Sequence, residues 1–219
     1  MTLVLRDVAV NLRGMPLTRP LIRPFSVSVQ PGEILTIMGP SGSGKSALLS
    51  WIGGDLPGAM QGAGEVLLNG VNVIGVPPER RRIGRLFQDD YLFPHMTVGE
   101  NLLFAIPAAH REVRLEMMQQ ALADAGLDGY ADRAPQTLSG GQRARVALMR
   151  TLLSGPAAVL LDEPFSRLDQ DLRSTIRSFT SDHIRDRQVP AILVTHDRAD
   201  VPPGGRVLAI SAQGDMHHV

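Results

Sequence analysis

Two glycine-rich loops, far apart in the sequence, have the composition needed to bind an anion. The first is Gly39-Pro40-Ser41-Gly42-Ser43-Gly44-Lys45-Ser46, and the second is Leu138-Ser139-Gly140-Gly141-Gln142. Each precedes a predicted helix, whose first turn offers unpaired backbone N–H groups and the positive end of the helix dipole. One triphosphate needs only one such cradle. The presence of two therefore suggests a nucleotide held from two sides, which two chains could supply.

The first loop matches the phosphate-binding pattern G-x-x-x-x-G-K-[ST] and lies in the context that this pattern requires. The short apolar run Glu33–Met38 precedes it, and the predicted helix Lys45–Ile52 follows. Glycines let backbone N–H groups approach phosphate oxygens without a clash from Cβ. Lys45 adds a positive charge toward the β- and γ-phosphates, and the Ser46 hydroxyl is placed to bind Mg²⁺.

A pair of acidic residues follows a second predicted buried strand. Ala157–Leu161 is apolar and leads directly into Asp162 and Glu163. Ligands of open α/β sheets gather at the carboxyl ends of the strands. Asp162 is therefore predicted to hold Mg²⁺ through water, and Glu163 to orient and polarise an attacking water molecule. A solvated acidic turn, or a cap for the next helix, is the alternative.

Composition excludes several classes of protein. The chain has 219 residues and a formal net charge of +0, which argues against a dedicated nucleic-acid binder. It contains no cysteine, so disulfides and cysteine-bound zinc or iron–sulfur sites are excluded. No uninterrupted apolar run is long enough to span a bilayer, and the first residues do not resemble a signal peptide. We therefore expect a soluble, cytoplasmic protein.

The order of predicted elements indicates an α/β domain with a mainly parallel sheet. The predicted strands are Leu3–Val10, Phe25–Val29, Glu33–Met38, Glu65–Asn69, Ala157–Leu161, Ala191–Thr195 and Val207–Ile210, the last of the chain. Three helices are predicted besides Lys45–Ile52. One is Gly140–Leu153, with Ser139 as its N-cap, and another carries Leu172, Ile176 and Phe179 on one apolar stripe. The third has a predicted buried face formed by Val113, Met117, Met118, Ala121, Leu122 and Ala125. We predict a single domain over 1–219, with a catalytic core of 1–88 and 156–219 and an inserted helical lobe of 89–155.

These motifs, taken in order, resemble those of the ABC-type ATPases. The series is Gly39–Ser46 (Walker A), Gln88 (Q-loop), Leu138–Gln142 (signature), Asp162-Glu163 (Walker B), Ser166–Asp169 (D-loop) and His196 (H-loop). The resemblance covers nearly the whole chain. It implies a P-loop NTPase fold in which a mainly parallel core sheet is joined by an antiparallel β subdomain and an inserted α-helical subdomain.

Two further stretches narrow the resemblance to one branch of the family. Leu86–Asp89 and Leu92–Leu102 are similar to the ATP-binding subunits of bacterial binding-protein-dependent importers, in the thiamine, molybdate, sulfate and polyamine branch. Gly140–Leu148 and Asp162–Asp169 look most like the YnjD-type subunits.

The resemblance assigns roles to individual residues. It implies that Gln88 contacts the metal and the attacking water and relays the nucleotide state to the helical lobe. Ser139, Gly140 and Gly141, with Gln142 in the same loop, would bind the γ-phosphate of ATP held by the opposite subunit. Asp169 would line the contact between subunits, and His196 would touch the γ-phosphate. A histidine that follows a strand is otherwise more often structural, and Gln88 alone would be an ordinary loop residue.

The resemblance also implies cofactors, partners and location. ATP and Mg²⁺ are the expected cofactors, and a homodimer is expected on ATP binding. The partners would be transmembrane permease subunits and, indirectly, a periplasmic substrate-binding protein, with no nucleic acid, at the cytoplasmic face of the bacterial inner membrane. Three alternatives stay open: the ATPase of a lipid or lipoprotein exporter, a soluble ABC ATPase acting on nucleic acid or ribosomes, and a scaffold that binds ATP without hydrolysis.

The sequence departs from the family pattern at three places. Leu12 stands near the position of the aromatic residue that usually stacks on adenine, and residues 1–24 contain no Phe, Tyr or Trp. Adenine would then be held by apolar contact or by Arg13. Arg167 replaces a small D-loop residue, although the YnjD-type pattern shares it. The segment 197–205 is expected to shorten the helix after His196. With the sequence ending at Val219, we expect no C-terminal regulatory domain of the kind that some importers possess.

The sequence also allows predictions for a basic cluster, for an apolar stretch after Gln88 and for two histidines near the C-terminus. The basic cluster Glu79-Arg80-Arg81-Arg82 with Arg85 is expected to form a solvated face rather than a nucleic-acid patch, given the neutral total charge. Tyr91–Pro94, just after Gln88, could line a groove for a helix of a partner or pack in the core. His217 and His218 are expected to lie in a frayed tail.

Overall fold

The computed structural model describes residues 1–14 and 20–219. Two compact units divide the chain: the first comprises 1–85, 157–163 and 181–219, and the second comprises 86–156 and 164–180. The second unit thus contains the segment predicted as a helical lobe, together with a stretch that follows Glu163. The predicted domain boundaries stay a prediction, because compactness does not define a domain by itself. No helix in the described ranges is both long and apolar enough to cross a bilayer.

A six-stranded sheet organises the first unit. Its strands, numbered in chain order over both sheets of the unit, are β3 (Ile34–Met38), β6 (Ile83–Leu86), β7 (Ala158–Asp162), β8 (Ala191–Thr195), β9 (Val207–Ile210) and β10 (Met216–His218). The order across the sheet is β10-β9-β3-β8-β7-β6. Strands β3, β7, β8 and β9 run parallel, and β10 pairs with β9 in the antiparallel direction. The interior strands are short apolar runs that are buried along almost their whole length, as expected for a parallel sheet.

A four-stranded antiparallel sheet forms the rest of the first unit with helix α1 (Lys45–Gly53). Its strands are β1 (Leu3–Leu12), β2 (Ile22–Val29), β4 (Met60–Leu68) and β5 (Val71–Asn72), in the order β2-β1-β4-β5. Apolar side chains of both sheets and of α1 form one hydrophobic core. The predicted fold class, a mainly parallel sheet with an antiparallel β part and a helical part, is confirmed.

Helices make up the regular structure of the second unit. They are α2 (Val98–Ala105), α3 (Arg111–Asp124), α4 (Gly140–Leu153) and the greater part of α5 (Gln170–Asp186). Thr97 caps α2 and Ser139 caps α4, each within a capping box that satisfies two backbone N–H groups. The predicted N-cap Ser139 is therefore confirmed.

Several sequence-based expectations were wrong. Val113 and Met117 of α3 are exposed (45% and 38%), because only the face carrying Met118, Ala121 and Leu122 packs inward. His217 and His218 are not frayed: they pair with β9 as part of β10, a strand that follows the predicted last one. The basic cluster is not a uniformly solvated face, because Arg81 is buried, with its guanidinium donating to the Trp51 and Ile52 carbonyls at the end of α1.

The shortened segment after His196 agrees with expectation. It holds a short 3₁₀ turn, Arg198–Asp200, in place of a full helix. The buried Asp200 carboxylate accepts a hydrogen bond from the Thr195 hydroxyl (2.6 Å), and the same hydroxyl accepts one from the Asp197 N–H (3.0 Å). These bonds fix the chain on both sides of His196.

Gly64 and Gly70 give a matched test of backbone packing in the antiparallel sheet. Both have positive φ (93° and 82°), but a Cβ on Gly64 would overlap the backbone carbonyl of Asp7, whereas one on Gly70 would meet nothing within 4 Å. The register of β1 and β4 shifts between Arg6 and Ala9, opposite Gly64, so this close approach belongs to a β-bulge.

We expect Gly70→Ala to lower the free energy of unfolding by about 1 kcal/mol, the cost of the left-handed conformation. Gly64→Ala should cost at least about 3 kcal/mol, because the backbone must also shift. Urea titration of the two variants measures the difference. Equal losses of stability would show that the sheet accommodates a side chain at the bulge.

Candidate functional site

The carboxyl ends of three neighbouring strands bring most of the predicted site residues together. In the parallel register, Met38 of β3 is paired with Thr195 of β8, and Asp162 of β7 with Val194 of β8. The three strands therefore end at nearly the same level. The phosphate-binding loop follows β3, Glu163 follows β7 and His196 follows β8. Backbone hydrogen bonding thus places these groups at one edge of the sheet.

Lys45, at the start of α1, lies inside the phosphate-binding loop. Its ammonium group donates to the carbonyl oxygens of Gly39 (2.7 Å) and Pro40 (2.9 Å), and only 5% of the residue is exposed. Burial lowers the pKa of Lys45, while the carboxylates of Glu163 and Asp162 act in the opposite direction. A bound polyphosphate would place negative charge beside the buried ammonium group and would thereby stabilise the charged form of Lys45.

Glycines allow the loop to wrap around the lysine. Gly44 immediately precedes α1 with φ 92°, and no side-chain cap occupies the helix N-terminus. A Cβ on Gly39 would lie 2.8 Å from the Ser43 hydroxyl oxygen and 3.2 Å from Cβ of Ile210. The first N–H groups of α1 are thereby left for an anion.

Ser46 and Asp162 form an oxygen pair suited to a hard divalent cation. The Ser46 hydroxyl donates to Oδ1 of Asp162 at 2.9 Å, although the two residues are far apart in sequence. Mg²⁺ prefers oxygen ligands, and commonly binds one or two protein oxygens together with substrate phosphates and water. In the described ranges, no group of three or more histidine and acidic residues is arranged so that it could hold a metal ion. The pair fits Mg²⁺ that arrives with a nucleotide better than a cation held by protein alone.

Glu163 and His196 lie beside the lysine. Glu163 has φ 46°, a strained conformation for this residue type, while its N–H donates to the Val194 carbonyl (3.0 Å). One carboxylate oxygen lies 3.1 Å from Nδ1 of His196 and the other 4.0 Å from the Lys45 ammonium. The carboxylate is therefore held between two groups, with 23% of its side chain exposed. His196 is half exposed, so its ring can contact a ligand.

The second glycine-rich loop lies in the second unit, at the start of α4. Ser139 Oγ accepts from the Gln142 N–H (3.3 Å), and Gln142 Oε1 accepts from the Ser139 N–H (2.9 Å). Gly141 packs against Leu172, where a Cβ would lie 2.5 Å from Cδ1, whereas a Cβ on Gly140 would make only an ordinary contact, 3.8 Å from Cδ2 of Leu168. The loop is thus stiff. No acidic residue occupies the first turn of α4, so nothing opposes an anion there.

Gln88 and Asp169 also lie in the second unit. Gln88 is exposed and lines a cavity of about 130 Å³ together with Gly140, Arg143 and Arg167. Asp169 Oδ1 accepts from the Leu172 N–H (3.0 Å), which gives it a helix-capping contact at the start of α5. The contact of Gln88 with a metal and the contact of Asp169 with a second subunit stay predictions.

Ion pairs connect the segment after Gln88 to its neighbours in this unit. Asp89 pairs with Arg167, the D-loop residue that departs from the family pattern, and Asp90 pairs with Arg143 of α4 (2.8 Å). A small residue at position 167, as is usual in the family, could not form this ion pair with Asp89.

Two site features escaped the sequence analysis. Arg85, included in the cluster expected to be solvated, donates to the Asp162 carboxylate (3.1 Å) and is largely buried. The sequence near Arg85 contains no pattern that predicts this contact, because Arg85 lies on β6 and its partner Asp162 lies on β7. The other feature was visible: Lys45 is the only lysine among the 22 basic residues of the chain.

Leu12, proposed to lie near adenine, is the last residue of β1. Part of the loop that follows lies outside the described residues, and the way in which adenine is held stays a prediction. Arg13 lines a separate cavity next to Trp51 and Gly54, near the C-terminal end of α1.

Comparison with known proteins agrees with the site. Residues 22–166 match the family described as ABC transporter. The chain is 46% identical over 210 residues to an uncharacterised ABC transporter ATP-binding protein, YnjD, of Escherichia coli, covering 95% of this chain and 96% of that protein. It is 38% identical over 200 residues to the thiamine import ATP-binding protein ThiQ of Haemophilus influenzae, covering 90% and 88%.

A third relative is longer. The spermidine/putrescine import ATP-binding protein PotA of Lawsonia intracellularis is 39% identical over 198 residues, which cover 89% of this chain and 53% of PotA. The chain therefore spans about half of that relative. The resemblance predicted from the motifs, including its YnjD-type and importer character, is confirmed.

Because Lys45 is the only lysine, its pKa can be measured directly. A chain labelled with ¹⁵N-lysine should give one side-chain signal, which titrates below the ordinary lysine value because burial disfavours the charged form. Added ATP should raise that pKa, since the phosphates favour the ammonium ion. AMP, which lacks the β- and γ-phosphates, should raise it less. An ordinary pKa without nucleotide, or a lower one with ATP, would contradict the site.

Proposed function

The chain belongs to the ABC transporter family, and we propose that it is the ATP-hydrolysing subunit of a bacterial importer. The observation that carries this proposal is the edge of the parallel sheet where Lys45, Ser46, Asp162, Glu163 and His196 meet. Two relatives named as import ATP-binding proteins, for thiamine and for spermidine/putrescine, support the direction of transport.

Each residue at this edge has a role that its contacts support. Lys45 and the N–H groups of its loop hold the β- and γ-phosphates of ATP. Ser46 and Asp162 would hold Mg²⁺, and the metal would neutralise negative charge on the phosphates. Glu163 orients the attacking water and accepts its proton as the new oxygen–phosphorus bond forms and the bond to ADP breaks. His196 orients the Glu163 carboxylate and, being half exposed, contacts the γ-phosphate.

The second glycine-rich loop completes the site across a dimer. Ser139, Gly140 and Gly141 offer the N-terminus of α4 to the γ-phosphate of an ATP molecule bound by the other subunit. The stiff capping box favours this role, because a pre-ordered loop loses little conformational entropy when it binds. Two chains arranged head to tail would then hold two ATP molecules. ATP drives closure because it binds the closed pair better than the separated chains.

An exposed aromatic surface of the second unit suits a membrane partner. Phe87, Tyr91 and Phe104 are exposed (36%, 60% and 65%). Phe87 stacks edge to face with Tyr91, and Phe104 stacks edge to face with the partly buried Phe93. Large exposed apolar side chains that cluster in this way typically mark an interaction site. We assign this aromatic surface to a helix of a permease subunit, which would place the chain at the cytoplasmic face of the inner membrane.

Buried polar contacts hold the aromatic surface in shape. Asn101, fully buried in α2, exchanges hydrogen bonds with the backbone of Phe93 and donates to the Met96 and Thr97 carbonyls. Arg150 of α4 donates to the Asp90 and Tyr91 carbonyls. Helix α4 therefore connects the signature loop, where it begins, to the proposed docking surface, which its Arg150 contacts.

Glu163→Gln should retain ATP binding and lose turnover, because the amide cannot accept the proton. A stable dimer with two ATP molecules should therefore accumulate, as measured by light scattering and nucleotide content. In this background, Lys45→Ala alone and Ser139→Arg alone should each fail to dimerise.

A mixture of these two variants tests the head-to-tail arrangement. It should form a dimer with one ATP, since one of its two composite sites is intact. Ser154→Arg, an exposed position at the other end of α4, is the matched control and should dimerise normally. If the mixture fails to pair while the control pairs, the two loops do not share one nucleotide across subunits.

Tyr91→Asp with Phe104→Asp should leave ATP hydrolysis by the isolated chain unchanged and abolish its binding to its own permease. The reason is that two charges would have to be buried against an apolar helix. Val71→Asp, an equally exposed apolar position in the first unit, is the control. Co-purification from membranes after joint expression measures binding. Retained binding in the double variant would place the docking surface elsewhere.

A further inference from the structure

Arg85 is a largely buried cation beside the proposed metal site, and no motif assigns it a role. It lies near the end of β6, with 13% of its side chain exposed. Its guanidinium forks between two carboxylates of the first unit. Nη2 donates to Oδ2 of Asp162 (3.1 Å), and Nη1 donates to both carboxylate oxygens of Asp55 (2.6 and 2.9 Å) and to the Ser50 hydroxyl (3.1 Å).

The fork divides the two oxygens of Asp162 between two partners. Oδ2 accepts from Arg85, while Oδ1 accepts from Ser46, the hydroxyl proposed to share the cation. A carboxylate held at one oxygen cannot rotate freely, so the other oxygen keeps a fixed direction. Groups that hold a metal ligand from behind in this way typically strengthen metal binding, because they orient the ligand before the metal arrives.

The charge on Arg85 would by itself weaken cation binding, and Asp55 compensates for it. Two positive ions on either side of one carboxylate repel each other. The two short contacts from Nη1 to Asp55 largely neutralise the guanidinium, and Asp55 is anchored at the end of α1, where its N–H donates to the Ser50 carbonyl (3.0 Å). Arg85 therefore supplies direction to Asp162 at little electrostatic cost.

From this geometry we propose that Arg85 is a positioning residue that acts through Asp162 and fixes which carboxylate oxygen faces the cation of the bound nucleotide. The proposal rests on the assignment of Asp162 as a metal ligand. A guanidinium is needed because only its planar fork can contact both carboxylates at once, which a lysine ammonium cannot do.

The test uses the full chain with Glu163→Gln, which prevents turnover, and Mn²⁺ in place of Mg²⁺. Electron paramagnetic resonance measures Mn²⁺ binding to the ATP complex, and calorimetry in EDTA measures the affinity for ATP without metal. Variants at Arg85 are compared with Arg80→Met, which removes an exposed arginine of the same segment.

We expect Arg85→Met to weaken Mn²⁺ binding about tenfold to a hundredfold, the range found when a group supporting a metal ligand is lost. The affinity for metal-free ATP should stay within about twofold, because the phosphate loop is untouched. Arg85→Lys should fall between Arg85→Met and the parent, and Arg80→Met should match the parent. Unchanged Mn²⁺ affinity in Arg85→Met, or an equal loss of affinity with and without metal, would overturn the proposal.

One more variant, Asp162→Asn, separates this proposal from the site assignment. If Asp162→Asn abolishes Mn²⁺ binding to the ATP complex while Arg85→Met leaves that binding unchanged, the positioning role is wrong and the site assignment stands. If neither variant alters Mn²⁺ binding, the site assignment itself fails.

Asp55→Asn covers the case in which Arg85→Met does not fold, because Asp55 is about half exposed. It removes the Asp55 charge that offsets Arg85, and we expect weaker Mn²⁺ binding with metal-free ATP binding unchanged. Mn²⁺ binding equal to that of the parent would count against the proposal.

Discussion

The parallel pairing of β3, β8 and β7 is the constraint on which the candidate site depends. Met38 is level with Thr195 and Asp162 with Val194, so three loops leave the sheet side by side. Side-chain chemistry then requires little further adjustment: Ser46 reaches Asp162, and Glu163 lies between Lys45 and His196. A slip of one residue in this register would turn each strand's side chains to the opposite face and separate these groups.

Charge balance is the second constraint on this edge. The single lysine is buried, which lowers its pKa, and two nearby carboxylates partly offset that effect. One of those carboxylates is also held by Arg85, whose own charge is offset by Asp55. Positive and negative side chains therefore alternate in space across the site, and this pairing limits the free-energy cost of burying their charges. A polyphosphate with a divalent cation adds opposite charges to the same site.

The second unit uses different means to stay ordered. Helices α2 and α4 begin with capping boxes, and arginines hold its loops by donating to backbone carbonyls. Arg143 illustrates the arrangement, because it pairs with Asp90 and also donates to the Leu138 carbonyl of the signature loop. The signature loop and the proposed docking surface are thus both held by contacts within the second unit.

Local patterns in the sequence were enough to predict the strands that carry the site, the loop around Lys45, the cap at Ser139 and the family, because each depends on neighbouring residues or on backbone hydrogen bonding. Burial on α3 was mispredicted, since apolar spacing alone does not show which side chains find a partner surface: Val113 and Met117 stay exposed. The small strands β5, β6 and β10 were missed because their stability comes from pairing. Only the tertiary structure revealed Arg85 beside Asp162, because that contact joins residues 77 positions apart in the chain.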